Sequence, residues 1–122
     1  MREVTEVAVG VLIDKEGRFL MASRPQGKPY AGWWEFPGGK LEAGEAVTEA
    51  LSREYAEELG VKVKKATPWF VFEREYPHAY VRLHFCRIVD WEGQPQPREG
   101  QTFQWFETLK QAQTEKLLPM CS

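Results

Sequence analysis

The stretch from Gly38 to Val61, GGKLEAGEAVTEALSREYAEELGV, places six carboxylates between Glu42 and Glu58 against a single base, Arg53. Its apolar residues predict a helix from about Ala46 to Leu59. Val47, Ala50, Leu51, Tyr55 and Leu59 recur at the three- and four-residue spacing of a core-facing side, and Gly60 suits the left-handed position that commonly ends a helix. Glu54, Glu57 and Glu58 stand at i, i+3 and i+4. Like charges at that spacing cost an isolated helix roughly 0.2 to 0.5 kcal/mol per pair, and the last turn is where the helix dipole disfavours anions. Two local rules are broken in one place, as is expected where function outweighs stability. A hard, oxygen-seeking cation such as Mg2+ or Mn2+ would turn the repulsion into ligation. The competing reading is a solvated acidic face, although such faces usually intersperse Lys or Arg four residues on.

Working outward, Val4 to Asp14 reads as a strand. Val7, Val9, Val11 and Ile13 alternate with Ala8, Gly10 and Leu12, so both faces are apolar and the strand is expected to be central. Asp14-Lys15-Glu16-Gly17 reads as a hairpin turn and Arg18 to Ser23 as the returning strand. A polar, Pro- and Gly-containing loop from Arg24 to Gly32 precedes Trp33-Trp34, and Glu35 to Gly39 leads from a short strand into the acidic helix. Beyond the helix, Val61 to Lys65 is short and mixed and Pro68 to Tyr76 is strand-like. A turn at Pro77-His78-Ala79 precedes a partner strand from Tyr80 to Asp90, with Val81, Leu83 and Phe85 on one face. Trp91 to Gly100 is a loop, Phe103 to Phe106 a last strand, and Thr108 to about Gln113 a further helix.

At 122 residues and 43% hydrophobic the chain is read as one domain, residues 1–122, with a single core. Its net charge of -2 comes without a local basic patch, which argues against a nucleic-acid polymer as partner. Cys86 and Cys121 are far apart and form no CxxC pair, so neither a zinc knuckle nor a disulfide framework is expected. No run approaches the ~20 apolar residues of a membrane span. A soluble cytoplasmic protein is expected. Gly39-Lys40-Leu41 lacks the spacing and the Ser/Thr of a phosphate-binding P-loop, and neither histidine is read as a ligand.

Gly39, Glu45, Arg53-Glu54-Tyr55, Glu57-Glu58 and Gly60-Val61 fall at the gaps of the Nudix box, and on them the chain resembles the Nudix hydrolases. The one mild departure is Tyr55, where an aliphatic residue is more usual. The resemblance implies the Nudix fold, an α/β/α sandwich around a mixed sheet, and divalent-cation-dependent hydrolysis of a nucleoside diphosphate linked to another group. It implies Mg2+ (or Mn2+) held by Glu54, Glu57 and Glu58 with a backbone carbonyl of Gly38 or Gly39. Glu54, oriented by Arg53, is the first choice of base and Glu99 the second, or a further metal ligand. Glu45 would hold the loop to the helix through backbone N–H groups, and Gly60 would complete the box.

Val9-Gly10, Arg24, Trp34 to Lys40, Tyr76-Pro77, Leu83-His84-Phe85, Trp91 to Pro95, Glu99 to Gln101 and Trp105 extend the likeness to the MutT-like 8-oxo-dGTP diphosphatases. That branch implies water attack at the β-phosphorus, release of monophosphate and pyrophosphate, and sanitation of the nucleotide pool in DNA repair, here expected of a monomer. It implies substrate contacts at Arg24, Trp34, Glu35, Phe36, Pro37, Gly38, Lys40 and Cys121. Without the family, Arg24 reads as a solvated loop residue, Phe36 as core, and Trp34 as either core or a base-stacking wall. The likeness thins at Cys121, which stands where MutT-like proteins carry a purine-reading Asn or Asp and shortly before the chain ends. A thiol poorly replaces an amide, so looser base specificity, reading by backbone groups, or a shortened chain are the expectations. The alternatives are a Nudix hydrolase of another nucleotide, such as a modified pyrimidine triphosphate, and a non-catalytic nucleotide-sensing module.

Overall fold

Alternation along Val4–Leu12 (β1) sends Ala8 and Leu12 to one side and Val9 and Val11 to the other, and all four are buried. A strand covered on both faces belongs in the middle of a sheet. The computed structural model describes residues 3–27, 30–77 and 79–107, and in it β1 is central. It pairs antiparallel with Gly38–Lys40 (β4) and parallel with Ala79–Glu92 (β6). Lys62–Tyr76 (β5) pairs antiparallel with β6 at the far edge, giving a mixed sheet in the order β4-β1-β6-β5. A second, antiparallel sheet places Phe19–Ser23 (β2) between Trp34–Glu35 (β3) and Phe103–Phe106 (β7).

Three elements differ from the reading of the sequence. The hairpin at Asp14 is real but brief. Asp14 N–H donates to the Arg18 carbonyl, and the Asp14 carboxylate accepts from the N–H groups of Glu16 and Arg18 and from Arg18 Nε. Beyond one bridge, Ile13 to Phe19, β2 leaves β1 and joins the second sheet. Val63 and Lys65 are not a separate short segment, because β5 runs unbroken from Lys62 through Pro68 to Tyr76. Proline is tolerated there because β5 is an edge strand whose register shifts on either side of Thr67 and Pro68. Trp91, assigned to a loop, lies within β6. The helix expected from Thr108, His78 and Cys121 all lie outside the described residues.

Val47–Leu59 (α1) is the helix expected from the acidic stretch. Ala46 is its N-cap. An alanine side chain accepts nothing, so only half a capping box forms, Glu49 accepting the Ala46 N–H at 2.8 Å. Gly60 ends the helix at φ 70°, its N–H donating to Ala56 O. Ala50, Leu51, Tyr55 and Leu59 are buried against Ala8, Leu12, Cys86 and Ile88 on the first sheet. Each large side chain so buried contributes roughly 1.5 to 3 kcal/mol. This packing holds α1 in place even though two carboxylates, Glu57 and Glu58, stand in its last turn and Glu54 in the turn before.

Tyr55 is the one polar group in that buried stripe, and Gly10 makes room for it. A Cβ at Gly10 would stand 2.3 Å from the Tyr55 hydroxyl oxygen, which instead donates to the Gly10 carbonyl at 2.6 Å. Gly10→Ala is therefore expected to destabilise the protein by roughly 1 to 3 kcal/mol in urea unfolding. The loss should shrink in a Tyr55→Leu background, where the ring is gone. Equal losses in both backgrounds would show that the two positions are not coupled.

Candidate active site

Gly38 and Gly39 bring backbone where side chains cannot go. A Cβ on Gly38 would lie 2.0 Å from the Ala8 carbonyl oxygen, and one on Gly39 would lie 2.4 Å from Glu54 Oε1. The Glu54 carboxylate thus rests on bare main chain. From there a cleft of about 680 Å³ opens, walled by Ala22 to Pro25 from the end of β2, by Glu35 to Lys40, by Glu58 of α1, and by Glu99 and Gln101 of the loop after β6. That loop is tied to the helix end. Gln96 N–H donates to Leu59 O and Arg98 N–H to Glu58 O, which satisfies carbonyls the helix leaves open.

Arg53 organises the acidic side of the site. Its Nε donates to Glu45 Oε2 at 2.9 Å and its Nη2 to Glu45 Oε1 at 3.0 Å, a two-pronged pairing. Nη1 donates to Glu54 Oε1 at 2.9 Å, and Nη2 also reaches the Lys40 carbonyl at 3.1 Å. One guanidinium therefore joins the start of the box, the helix and β4. Glu45 also accepts the Glu42 N–H, so it does tie the loop to the helix, through Arg53 and one N–H, while the helix cap itself falls to Glu49. The hydrogen bond from Arg53, the Glu42 N–H and the charge of Arg53 hold Glu45 down at about 2, against the opposing effect of burial.

Glu58 is in the opposite condition. Burial above all, then the hydrogen bond and charge of Glu54 and the charges of Glu99 and Glu35, push its carboxyl up to about 9. Its Oε2 is buried without a hydrogen-bond partner. A buried carboxylate oxygen lacking any donor, in the field of three further carboxylates, is a site a divalent cation would satisfy. The donor set is all oxygen, which suits a hard ion. The residues present fit such an ion, although the described residues do not already gather three acidic, His or Cys side chains at ligating geometry.

The structure brings together some of the expected residues and leaves others apart. Glu54 and Glu58 face one another beside Gly39, and Glu99 lies across the cleft from Glu58. Glu57 points outward, its side chain 59% exposed, with Arg53 Nη1 3.8 Å away. Arg24 and Glu35 both line the cleft and form an ion pair at 2.9 Å; burial raises the Glu35 carboxyl while Arg24 opposes that rise. Phe36 serves core and cleft at once, packing on Phe19 and edge-on against Phe85. Pro37 and Lys40 are on the wall. Trp34 is not; it packs edge-on against Phe106. Gln101 belongs to the stretch that carries the MutT-like resemblance but has no site role in the reading of the sequence. It is buried on the cleft wall, and its Oε1 accepts the Glu99 N–H at 2.8 Å, a role no spacing advertises.

The model of the NUDIX domain matches residues 4–120. The chain is 36% identical over 106 residues to an 8-oxo-dGTP diphosphatase of Haemophilus influenzae, covering 87% of this chain and 78% of that one. It is 36% identical over 97 residues to a CTP pyrophosphohydrolase of Escherichia coli, covering 80% and 72%. Among solved structures, that of the E. coli ORF135 protein superposes with a TM-score of 0.83 at 32% identity, covering 97% of this chain and 83% of that one. A MutT structure from a study of the Aliivibrio salmonicida and Vibrio cholerae proteins gives 0.73 at 32%, covering 84% and 79%.

Folding raises Glu58 from an ordinary 4.5 to about 9, so the unfolded chain gives up this proton first. Metal-free protein should lose stability as pH rises from 4.5 toward 9. Glu58→Gln should flatten that decline and raise Tm at pH 8 by roughly 4 °C or more, measured by calorimetry in chelator. Glu45 runs the other way. Its contribution is present above 4.5 and lost as pH falls toward 2, so Glu45→Gln should remove part of the acid limb of the same stability profile.

Proposed function

We propose that this chain, which belongs to the NUDIX domain family, hydrolyses nucleoside triphosphates to monophosphate and pyrophosphate, with 8-oxo-dGTP the preferred substrate. The observation that carries the reading is the meeting of Glu54 and Glu58 over the bare backbone of Gly39, at the inner end of a cleft large enough for a nucleotide. The likeness to several 8-oxo-dGTP diphosphatases, 33% over 101 residues for that of E. coli, supports the choice of substrate.

Glu54, Glu58 and the carbonyls of Gly38 or Gly39 would hold Mg2+, or Mn2+, with Glu99 as a further ligand, and Glu57, exposed beside Arg53, would join them by turning inward. Bound there, the ion would neutralise phosphate oxygens and make a water nucleophilic at neutral pH. Glu54 takes the proton from the attacking water, because Arg53 Nη1 at 2.9 Å fixes the carboxylate in one orientation. Glu99, on an exposed loop at the cleft, is the second candidate base. Arg24, held against Glu35, and the face of Phe36 stand where a nucleotide would enter. Gly38, Pro37 and Lys40 line the same wall, and Cys121 is the remaining position proposed to meet the base. The partner is then a small nucleotide rather than a nucleic-acid polymer, the enzyme works as a monomer in the cytoplasm, and its role is to clear oxidised guanine nucleotides ahead of replication. No helix among the described residues is long and apolar enough to cross a membrane.

A second reading, hydrolysis of a pyrimidine triphosphate, is favoured by the E. coli CTP pyrophosphohydrolase likeness and by Cys121 in place of a purine-reading amide. Pyrophosphate release measured across dGTP, dCTP, CTP and 8-oxo-dGTP separates the two. The first reading expects kcat/KM highest for 8-oxo-dGTP, and equal turnover of all four would sink it. Glu54→Gln should lower kcat by roughly 10² to 10⁴-fold with nucleotide KM little changed. Full activity in Glu54→Gln and Glu57→Gln would rule out the assigned metal site, whereas wild-type protein that binds nucleotide and hydrolyses none would leave a nucleotide-sensing module.

A further inference from the structure

Two consecutive glycines have no side chains with which to hold themselves, and Gly38 and Gly39 are asked to keep their carbonyls in fixed positions beside the carboxylates of α1. Something outside them has to fix the peptide that enters the pair. That peptide begins at Pro37, whose carbonyl accepts the Gly10 N–H at 3.0 Å and the Tyr55 hydroxyl at 3.3 Å. The hydroxyl has one proton, which it shares between Pro37 O and, on the shorter arm, Gly10 O at 2.6 Å. Tyr55 is fully buried, adjoins Glu54 in the chain and lies one turn before Glu58 on the same helix. One hydroxyl therefore touches β1, the residue that opens the glycine pair, and the helix that carries the carboxylates.

We propose that Tyr55 is a positioning residue for the metal site, its hydroxyl fixing the distance between the Gly38-Gly39 backbone and the carboxylates of Glu54 and Glu58. The inference rests on the metal-dependent reading above. An aliphatic residue at this place would leave the Pro37 carbonyl to Gly10 alone. Here Gly10 leaves the space a ring and its hydroxyl need, a Cβ there falling within 2.8 Å of three Tyr55 atoms. The pair Gly10 and Tyr55 thus acts as a built-in brace, with a role distinct from filling volume. Supporting groups of this kind typically change metal affinity or activity by roughly 10 to 100-fold when lost.

The test is Mn2+ binding to metal-free protein, followed by electron paramagnetic resonance, in wild type and Tyr55→Phe, each well below its own Tm. The phenylalanine keeps the ring and removes only the donor. The expectation is a roughly tenfold weaker Kd for Mn2+, a matching rise in the Mg2+ concentration that half-saturates turnover, and a nucleotide KM within about twofold at saturating metal. Should Tyr55→Phe not fold, Tyr55→Leu asks the same question, since it too lacks the hydroxyl. A variant with lower Tm but unchanged Mn2+ Kd and unchanged Mg2+ dependence would make Tyr55 a core residue only and overturn the inference while leaving the metal reading intact. Wild-type protein that binds no Mn2+ would remove both.

Discussion

No side chain fits at Gly38 or Gly39, and the arrangement of the molecule follows from that. One glycine lies against the carbonyl of Ala8 in the neighbouring strand, the other under the carboxylate of Glu54. Together they let β4 pass between the central strand and the acidic helix with almost no clearance. Because β4 pairs with β1 directly opposite Ala8 and Val9, the closeness is set by sheet hydrogen bonding and is not a loop's choice. The helix is then pressed onto the same sheet by Leu51, Tyr55 and Leu59. Backbone carbonyls and helix carboxylates meet because the apolar packing on one side of α1 leaves them no other relative position.

The carboxylates themselves oppose this packing. Glu45, just before the helix, is satisfied twice over by Arg53 and is held strongly ionised; Glu58, near the other end of the helix, is buried among like charges and held toward its protonated form. The two environments sit on one short helix and its lead-in, separated by where a single guanidinium can reach. Arg53 contacts Glu45, Glu54 and the Lys40 carbonyl. Glu58 lies beyond it, facing the cleft. The fold thus stores an electrostatic cost at Glu58 that the hydrophobic face of the helix offsets, a trade expected where a site has to receive a cation.

Around this centre the second sheet acts as a frame for the cleft. β2 ends at Ser23 and releases Arg24 and Pro25 onto the wall, and β3 delivers Glu35 and Phe36 to the same side. The loop after β6 is drawn in by the open carbonyls of Leu59 and Glu58, which brings Glu99 and Gln101 to the rim. The helix end therefore both carries an acidic residue of the site and anchors the loop that carries another.

Much of this was legible in the residues. Periodicity alone marked α1 to within a residue at its start, the doubly apolar pattern of β1 marked it as central, and the residues from Gly39 to Val61 carried the resemblance to the Nudix hydrolases. What the sequence could not determine was which elements part company and which side chains turn inward. Local turn chemistry at Asp14 predicts a hairpin, yet β2 changes sheets, because β1 is already paired on both edges by β4 and β6. Equal spacing makes Glu54, Glu57 and Glu58 look equivalent, yet burial distinguishes them: Glu58 is enclosed by the cleft wall and Glu57 faces solvent beside Arg53. Tyr55 looked like a mild departure from a pattern; only the proximity of Gly10 and Pro37, distant in sequence, gives its hydroxyl two acceptors. Sequence by itself determined the elements and the chemistry available, since those depend on near neighbours in the chain. Tertiary structure alone decided desolvation and partnership, since those depend on what long-range packing brings within a few ångströms.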